Sequence, residues 1–203
     1  MATATPTKTV QTDLLAIQSV AASSVAISSA FDMSGKLEGG LIQVRFGRRS
    51  ATAAGAGVNI RLESSSATSG NNTWFPFAVL TTNFAAAEAE AVSGTVSSGT
   101  NVITVASTTN LTAADVIFID NGTIANSEWG RVKSISTNVS VTIEDNLVNA
   151  QTGATIYDSA EIFPPVQVPK HAVRIRAVAD GASFGQAFAI HVALITYDSV
   201  TIA

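Results

Sequence analysis

The chain has 203 residues, of which 46% are hydrophobic and only 13% are charged, and its mean hydropathy is +0.32. Its net charge of −4 and pI near 5.0 disfavour nonspecific binding to nucleic acid, which requires a basic surface. It contains no cysteine, which excludes disulfides and thiolate metal sites.

The N-terminal part of the chain changes from polar to mildly apolar at about residue 14. Residues 1–13 are rich in threonine and are predicted to form an N-terminal arm that is flexible or ordered by a partner. Two strands are predicted between residues 14 and 31, with a helix over Leu14 to Val20 as the open alternative. Because this segment lacks a basic flank and no run of about 20 apolar residues exists, neither a signal peptide nor a membrane span is expected.

Alternating apolar and polar residues predict the next strands. The apolar residues on the buried faces are Ile42, Val44 and Phe46, and then Val58, Ile60 and Leu62. The segment Thr73 to Leu80 is also predicted as a strand, and its Pro76 indicates an edge position or a bulge.

The middle of the chain has a different charge. Residues 88–161 contain nine acidic and two basic side chains, a net charge of −7, whereas the remainder has a net charge of +3. The alanine-rich segment Ala85 to Ala91 is predicted as a helical turn or an extended connector into this stretch. Five short strands follow, at Val102 to Val105, Val116 to Ile119, Glu128 to Ile135, Val139 to Ile143 and Thr155 to Tyr157.

The last part of the chain returns to alternating strands after Pro164 and Pro165. Ile175 and Ala177 alternate with arginines, and the longest predicted strand begins at Phe188 and ends near Tyr197. We therefore predict an all-β protein with a jelly-roll-like β-sandwich and a smaller inserted β domain. The predicted boundaries are 1–13 for the arm, 14–87 plus 162–203 for the sandwich, and 88–161 for the inserted domain.

No residue pattern predicts catalysis. The two histidines, His171 and His191, lack a nucleophile motif, and we expect both to be satisfied by neighbours or to face solvent. Asp115, Asp120 and Asn121 do not match a calcium loop, so turn capping is favoured over metal binding. An enzyme is therefore disfavoured, and no cofactor or metal is expected.

Arginines and tryptophans are the remaining candidates for binding. Arg45, Arg61, Arg174 and Arg176 fall on polar strand faces, where pairing with Glu63 or Glu38 is favoured over docking to an acidic partner. Trp74 and Trp129 suit core or interface packing, with anchoring of a sugar or a protein as the alternative.

Several segments resemble virion proteins of tailed bacteriophages. The run Ser93-Gly94-Thr95-Val96, continued by Gly99 to Val105, Leu111-Thr112 and Asp115-Val116, is similar to a small β module common in those proteins. In that module Gly-Asp usually follows Leu-Thr, whereas this chain has Ala113-Ala114-Asp115. The flanking segments Gly47-Arg48-Arg49-Ser50, Trp74-Phe75-Pro76 and Arg174-Ile175-Arg176 resemble jelly-roll decoration (cement) proteins of capsid shells.

This resemblance implies a non-enzymatic decoration protein made in the host cytoplasm and located in the virion, on the outer capsid surface. It would be a homotrimer that binds the major capsid protein and stabilises contacts between subunits, without nucleic acid or membrane. The expected partner-binding residues are Thr5, Thr7, Lys8, Arg48, Arg49 and Trp74. The alternative is a tail or baseplate protein whose inserted domain binds host-surface carbohydrate.

Overall fold

The computed structural model describes residues 4–8, 11–70 and 73–202, with backbone alone at 4–8, 37–39 and 197–202. Within these residues the regular structure is almost entirely β, which confirms the predicted all-β class. A short 3-10 turn at Ile124–Asn126 is the one helical segment described, and the described residues hold no helix with the length and apolar character to cross a membrane. The strands are β1 (Ala4–Lys8), β2 (Thr12–Val20), β3 (Val25–Ile27), β4 (Phe31–Asp32), β5 (Leu37–Arg48), β6 (Asn59–Ser65), β7 (Phe75–Thr81), β8 (Ala89–Ala91), β9 (Thr95–Val96), β10 (Val102–Thr104), β11 (Val116–Asp120), β12 (Glu128–Ser136), β13 (Ser140–Ile143), β14 (Gln151–Thr152), β15 (Thr155–Tyr157), β16 (Glu161–Ile162), β17 (Val166–Gln167), β18 (Arg174–Asp180) and β19 (Phe188–Ile202).

Two antiparallel sheets form the β-sandwich. In the front sheet, β1 and β2 pair with one side of β19, β5 pairs with its other side, and β16 and β17 pair with β5. The back sheet has the order β3/β4, β18, β6, β7. When each broken pair of short strands is counted as one, the sheets read 1-8-3-6 and 2-7-4-5 in chain order, which is the order of a jelly roll.

The sandwich core lies between the inner faces of the two sheets. Inward residues of β5, β6, β18 and β19 alternate with outward ones, as a half-buried strand requires. At one end of the core, Phe46, Phe184 and Phe188 pack with ring centroids 5.6 to 5.7 Å apart, with two of the three pairs edge-to-face. These three rings pack together next to the end of β5, where the candidate site begins.

Prolines lie at the sheet edges, and for Pro76 the sequence predicted an edge position or a bulge. β7 is the edge strand of the back sheet, and its register with β6 shifts between Leu62 and Glu63, beside Pro76. Pro164 and Pro165 separate β16 from β17, which both pair with β5 and form one edge of the front sheet. Since proline cannot donate a ladder hydrogen bond, both positions fit edge strands.

Residues 88–161, here called the inserted unit, form a curled six-stranded sheet. Its order is β10, β13, β12, β11, β15, β8, and all five predicted strands of this stretch are present. The sheet curls until its two edges meet at an antiparallel bridge between Val92 and Val105. A separate apolar cluster that includes Ile103, Ile117 and Ile156 fills the interior. The connector from Ala85 to Ala91 is extended, with Ala89–Ala91 forming β8.

The N-terminal segment belongs to the front sheet. Residues 4–8 of the predicted arm form β1, which pairs with the last residues of β19, and Thr12 and Asp13 begin β2. The strand prediction for Leu14 to Val20 is confirmed over the helix alternative, because β2 runs along β19 and buries Leu15 and Val20.

We predict that Phe46→Ala lowers the free energy of unfolding by about 3–5 kcal/mol, because it leaves a cavity among three packed aromatic rings. Phe75→Ala is the matched control, since Phe75 is 66% exposed and its loss should change stability by less than about 0.5 kcal/mol. Urea denaturation followed by circular dichroism measures both values. Equal effects of the two substitutions would contradict this core.

Candidate functional site

The inserted unit docks on the outer face of the front sheet. Small residues on that face, Gly47 of β5 and Ala189 of β19, leave room for Phe118 and Trp129 of the inserted unit. A Cβ atom on Gly47 would lie 2.5 Å from the Phe118 ring, so only glycine permits this approach. The Trp129 indole Nε1 donates a hydrogen bond of 2.9 Å to the carbonyl oxygen of Phe46. Together these contacts attach the two units through both packing and hydrogen bonding.

An ion pair closes the same junction. Arg49, at the end of β5, donates from Nε and Nη2 to the two carboxylate oxygens of Asp120 at 2.7 and 3.1 Å. Its Nη1 donates to Ser19 Oγ of β2 at 2.6 Å. This two-point geometry is the strong form of an arginine–carboxylate pair. Arg49 therefore joins two strands of the sandwich to the inserted unit, rather than extending toward a separate partner as the sequence suggested.

Arg48, which the sequence predicts as a partner contact, lies inside the fold. The residue is 1% exposed, and its Nη2 donates to the carbonyl oxygen of Asn83. The backbone N–H of Asn83 donates in turn to Glu161 Oε1 at 2.7 Å. Burial lowers the pKa of Arg48 and raises the pKa of Glu161. Because Asn83 precedes the inserted unit and Glu161 ends it, this cluster fixes both connections.

A cleft opens beside the junction, between the front sheet and the loop that follows β13. It has a volume of about 350 Å³. Ile17, Arg45 and His191 line it from three neighbouring strands of the front sheet. His191 Nε2 lies 2.9 Å from Asp13 Oδ1, which confirms the prediction that this histidine is satisfied by a neighbour.

The opposite wall of the cleft is the loop 144–149, held by one carboxylate. Glu128 accepts hydrogen bonds from the backbone N–H groups of Val148 at 2.9 Å and Asn149 at 2.7 Å. The Gln151 amide Nε2 donates to the same carboxylate at 3.1 Å. The loop is therefore fixed before any ligand arrives, while Asp145 projects from it into the cleft.

The outer face of the back sheet carries a ladder of paired charges beside Trp74. Arg176 Nε donates to Glu63 at 2.7 Å, and Arg61 bridges Glu63 and Asp180 at 3.4 and 3.1 Å. The predicted cross-strand pairing with Glu63 is thus confirmed for Arg176, whereas Arg61 lies on the same strand as Glu63 and pairs across strands with Asp180. Their guanidinium groups are held on this open face by strand register rather than free in solvent.

Trp74 lies against two guanidinium groups of this face. The centre of its ring is 5.0 Å from the Cζ atom of Arg174 and 4.5 Å from that of Arg176, within cation–π range. Its indole Nε1 is buried and has no hydrogen-bond acceptor within the described residues. Trp74 therefore presents an aromatic and arginine cluster at the edge of the back sheet.

Apolar side chains flank the charge ladder. One row across the back sheet reads Ile27, Val178, Arg61 and Val79, which are register partners on four strands. Ile27 is 58% exposed and Val79 is 57% exposed, and Val25 lies exposed beside Ile27. The back sheet thus has an open face with apolar edges, whereas the front sheet has the inserted unit on its outer face.

The aspartates considered as metal ligands cap turns. Asp115 accepts from the backbone N–H and the hydroxyl of Thr112 at 2.7 and 2.8 Å. Asp120 accepts from the N–H of Gly122 at 3.0 Å, and Gly122 has a φ of 84°, a conformation that glycine adopts without strain. Across the described residues, histidine, aspartate and glutamate side chains form no group of three or more fit to hold a metal ion.

The predicted partner-binding residues do not form one site. Arg48 and Arg49 lie at the junction and Trp74 lies on the back sheet. The backbones of Thr5, Thr7 and Lys8 lie in β1, and their side chains fall outside the described residues. The cleft around Arg45 and His191 was not predicted, although the small outward residues of β5 and β19 signal that something covers this face.

Comparison with known proteins gives no relative: no family model matches the chain, and no curated protein matches it.

We predict that Arg49→Ala lowers the free energy of unfolding by about 1–3 kcal/mol, because it leaves Asp120 partly buried without its partner. Arg131→Ala is the control, since the Arg131–Glu144 pair is exposed and long, at 3.9 Å, and should contribute less than about 1 kcal/mol. Chemical denaturation of both variants checks this. A smaller loss of stability at Arg49 than at Arg131 would show that the Arg49–Asp120 ion pair does not stabilise the junction.

We predict that Glu161→Gln makes stability less dependent on pH. Burial raises the pKa of Glu161 above its ordinary value of 4.5, so the folded chain binds this proton more tightly than the unfolded chain. The wild-type protein then loses stability as pH rises from about 4.5 through the raised pKa, and the glutamine variant lacks this loss. The stability difference between variant and wild type, measured by denaturation at a series of pH values, should shift in favour of the variant over that window. A difference that stays constant with pH would contradict the burial of this carboxylate.

Proposed function

We propose that the chain is a non-enzymatic decoration protein that binds the outer surface of a phage head and stabilises contacts between major capsid subunits. The open face of the back sheet carries the proposal. It combines exposed Ile27 and Val79 with Trp74 and its two arginines. Tryptophan and arginine are the residue types most enriched among energetically dominant interface positions. An interface that exists only in the assembled shell stabilises that shell by mass action.

The position of the inserted unit indicates which side of the molecule would face the shell under this proposal. The inserted unit covers the outer face of the front sheet, on the opposite side of the sandwich from the open back-sheet face. If the back sheet contacts the shell, the inserted unit points away from it. The acidic stretch, with a net charge of −7, then lies outermost, and the sandwich, with a net charge of +3, lies next to the shell.

A non-enzymatic role is supported by what the acidic side chains do. Asp115 and Asp120 cap turns, Glu63 pairs with arginines and Glu128 holds a loop. Each of these four carboxylates is engaged in the fold. The homotrimer stays a prediction.

The number of copies in the particle tests the location. Quantitative mass spectrometry of the purified virion should find hundreds of copies, comparable to the major shell protein. A handful to a few dozen copies would place the chain in the tail instead, and no copies would end the virion proposal.

We predict that Val79→Glu abolishes binding to the shell, because it places a charge in the apolar edge of the contact face. Val139→Glu is the matched control: Val139 is a valine of nearly equal exposure, 58% against 57% for Val79, but it lies in the inserted unit. Binding of each purified variant to particles that lack the protein is measured by co-sedimentation. If Val139→Glu abolished binding to the shell and Val79→Glu did not, the proposed orientation would be reversed.

A further inference from the structure

The cleft between the two units has the properties of a ligand site. It lies at an interface between two packed units and its volume of about 350 Å³ falls in the range of small-molecule sites. Its walls combine an apolar part, Ile17 and Val148, with a polar part that includes Arg45 and Asp145. Glu128 fixes the loop that forms one wall, so the cleft is formed without a ligand.

Arg45 is a residue of the cleft whose guanidinium group is not fully hydrogen-bonded. Its Nη2 donates to Gln43 Oε1 at 3.0 Å, and its Nε is buried without an acceptor within the described residues. Four other arginines of the described chain pair with carboxylates, and the remaining two donate to backbone carbonyls. A buried donor without an acceptor is costly, and a guanidinium matches the geometry of a carboxylate.

The rest of the cleft suits hydroxyl groups. The side chains of Asp145 and Asn146 make no hydrogen bond to other described residues and lie exposed at the wall. A carboxylate and an amide together can both accept from and donate to hydroxyls. Asp145 also disfavours a ligand that is only a concentrated negative charge, such as a free phosphate.

Trp129 also lines the cleft. Its ring centroid lies 4.9 Å from that of Phe118, with the rings tilted, and 6.4 Å from that of His191, with the rings stacked. Its Nε1 donates to the Phe46 carbonyl oxygen, so its one polar group is already engaged and the polar recognition argued here uses Arg45, Asp145 and Asn146.

We propose that the cleft binds a glycan residue that carries a carboxylate, such as a hexuronic or sialic acid. Arg45 binds the carboxylate on the front-sheet side of the cleft, and Asp145 and Asn146 form hydrogen bonds with ring hydroxyls on the loop side. This inference goes beyond the decoration role and does not rest on it, since the site lies within one chain. A chain located in the tail would use the same cleft on host-surface carbohydrate.

The experiment titrates the full chain with the methyl glycosides of glucuronic acid, sialic acid and glucose, and with inorganic phosphate. Two-dimensional NMR reports on amides of the cleft, including those of Ile17 and Val148. We expect glucuronide to shift these signals and to bind at least tenfold more tightly than glucose or phosphate. Equal binding of glucose, tighter binding of phosphate, or no shift with glucuronide and with sialic acid would overturn the proposal.

Two variants assign the contacts. Arg45→Gln should lower glucuronide affinity at least tenfold, whereas Arg61→Gln, on the outer face of the back sheet, should leave it unchanged. Because Arg45 is half-buried, Asn146→Ala provides a second variant at an exposed position that the fold does not need. It should weaken both sugars without altering thermal stability. Unchanged affinity in both the Arg45 and the Asn146 variants would show that the sugar binds elsewhere.

Discussion

The contact between the inserted unit and the front sheet determines how the rest of the chain is arranged. Gly47 permits the approach of Phe118, and Arg49 then joins Asp120 to Ser19 across the junction. Arg48 and Glu161 hold the peptide of Asn83 where the chain leaves the sandwich and returns to it. Because packing, an ion pair and both connections act together, the two units keep one relative position, and the cleft beside them keeps its shape.

Much of the sandwich could be predicted because strand alternation is a local property of the sequence. Ile42, Val44 and Phe46 face the core as their spacing indicated, and Pro76 lies on an edge strand beside a register shift. Turn capping by Asp115 and Asp120 was equally readable, since aspartate side chains often accept hydrogen bonds from backbone N–H groups of their own turn. Each of these predictions needed only a few neighbouring residues.

The site could not be predicted in the same way because it depends on contacts between distant segments. Arg48 and Arg49 end a strand, where the sequence alone indicates exposure, yet contacts with Asn83 and Asp120 enclose them. The bridge between Val92 and Val105 closes the inserted sheet through two residues that no local pattern pairs. The cleft combines side chains from β2, β5, β12 and β19 with a loop, so its polar groups meet only after the whole chain has folded.

Docking of the inserted unit on the front sheet explains why the two sides of the sandwich differ. Docking of the inserted unit covers the part of the outer face of the front sheet around Gly47 and Ala189, and creates the cleft beside it. The back sheet keeps exposed Ile27 and Val79 beside its paired arginines. An open sheet face and a small polar recess therefore lie on opposite sides of the sandwich. A partner on the sheet face would leave the recess open, so the two proposed contacts would not compete.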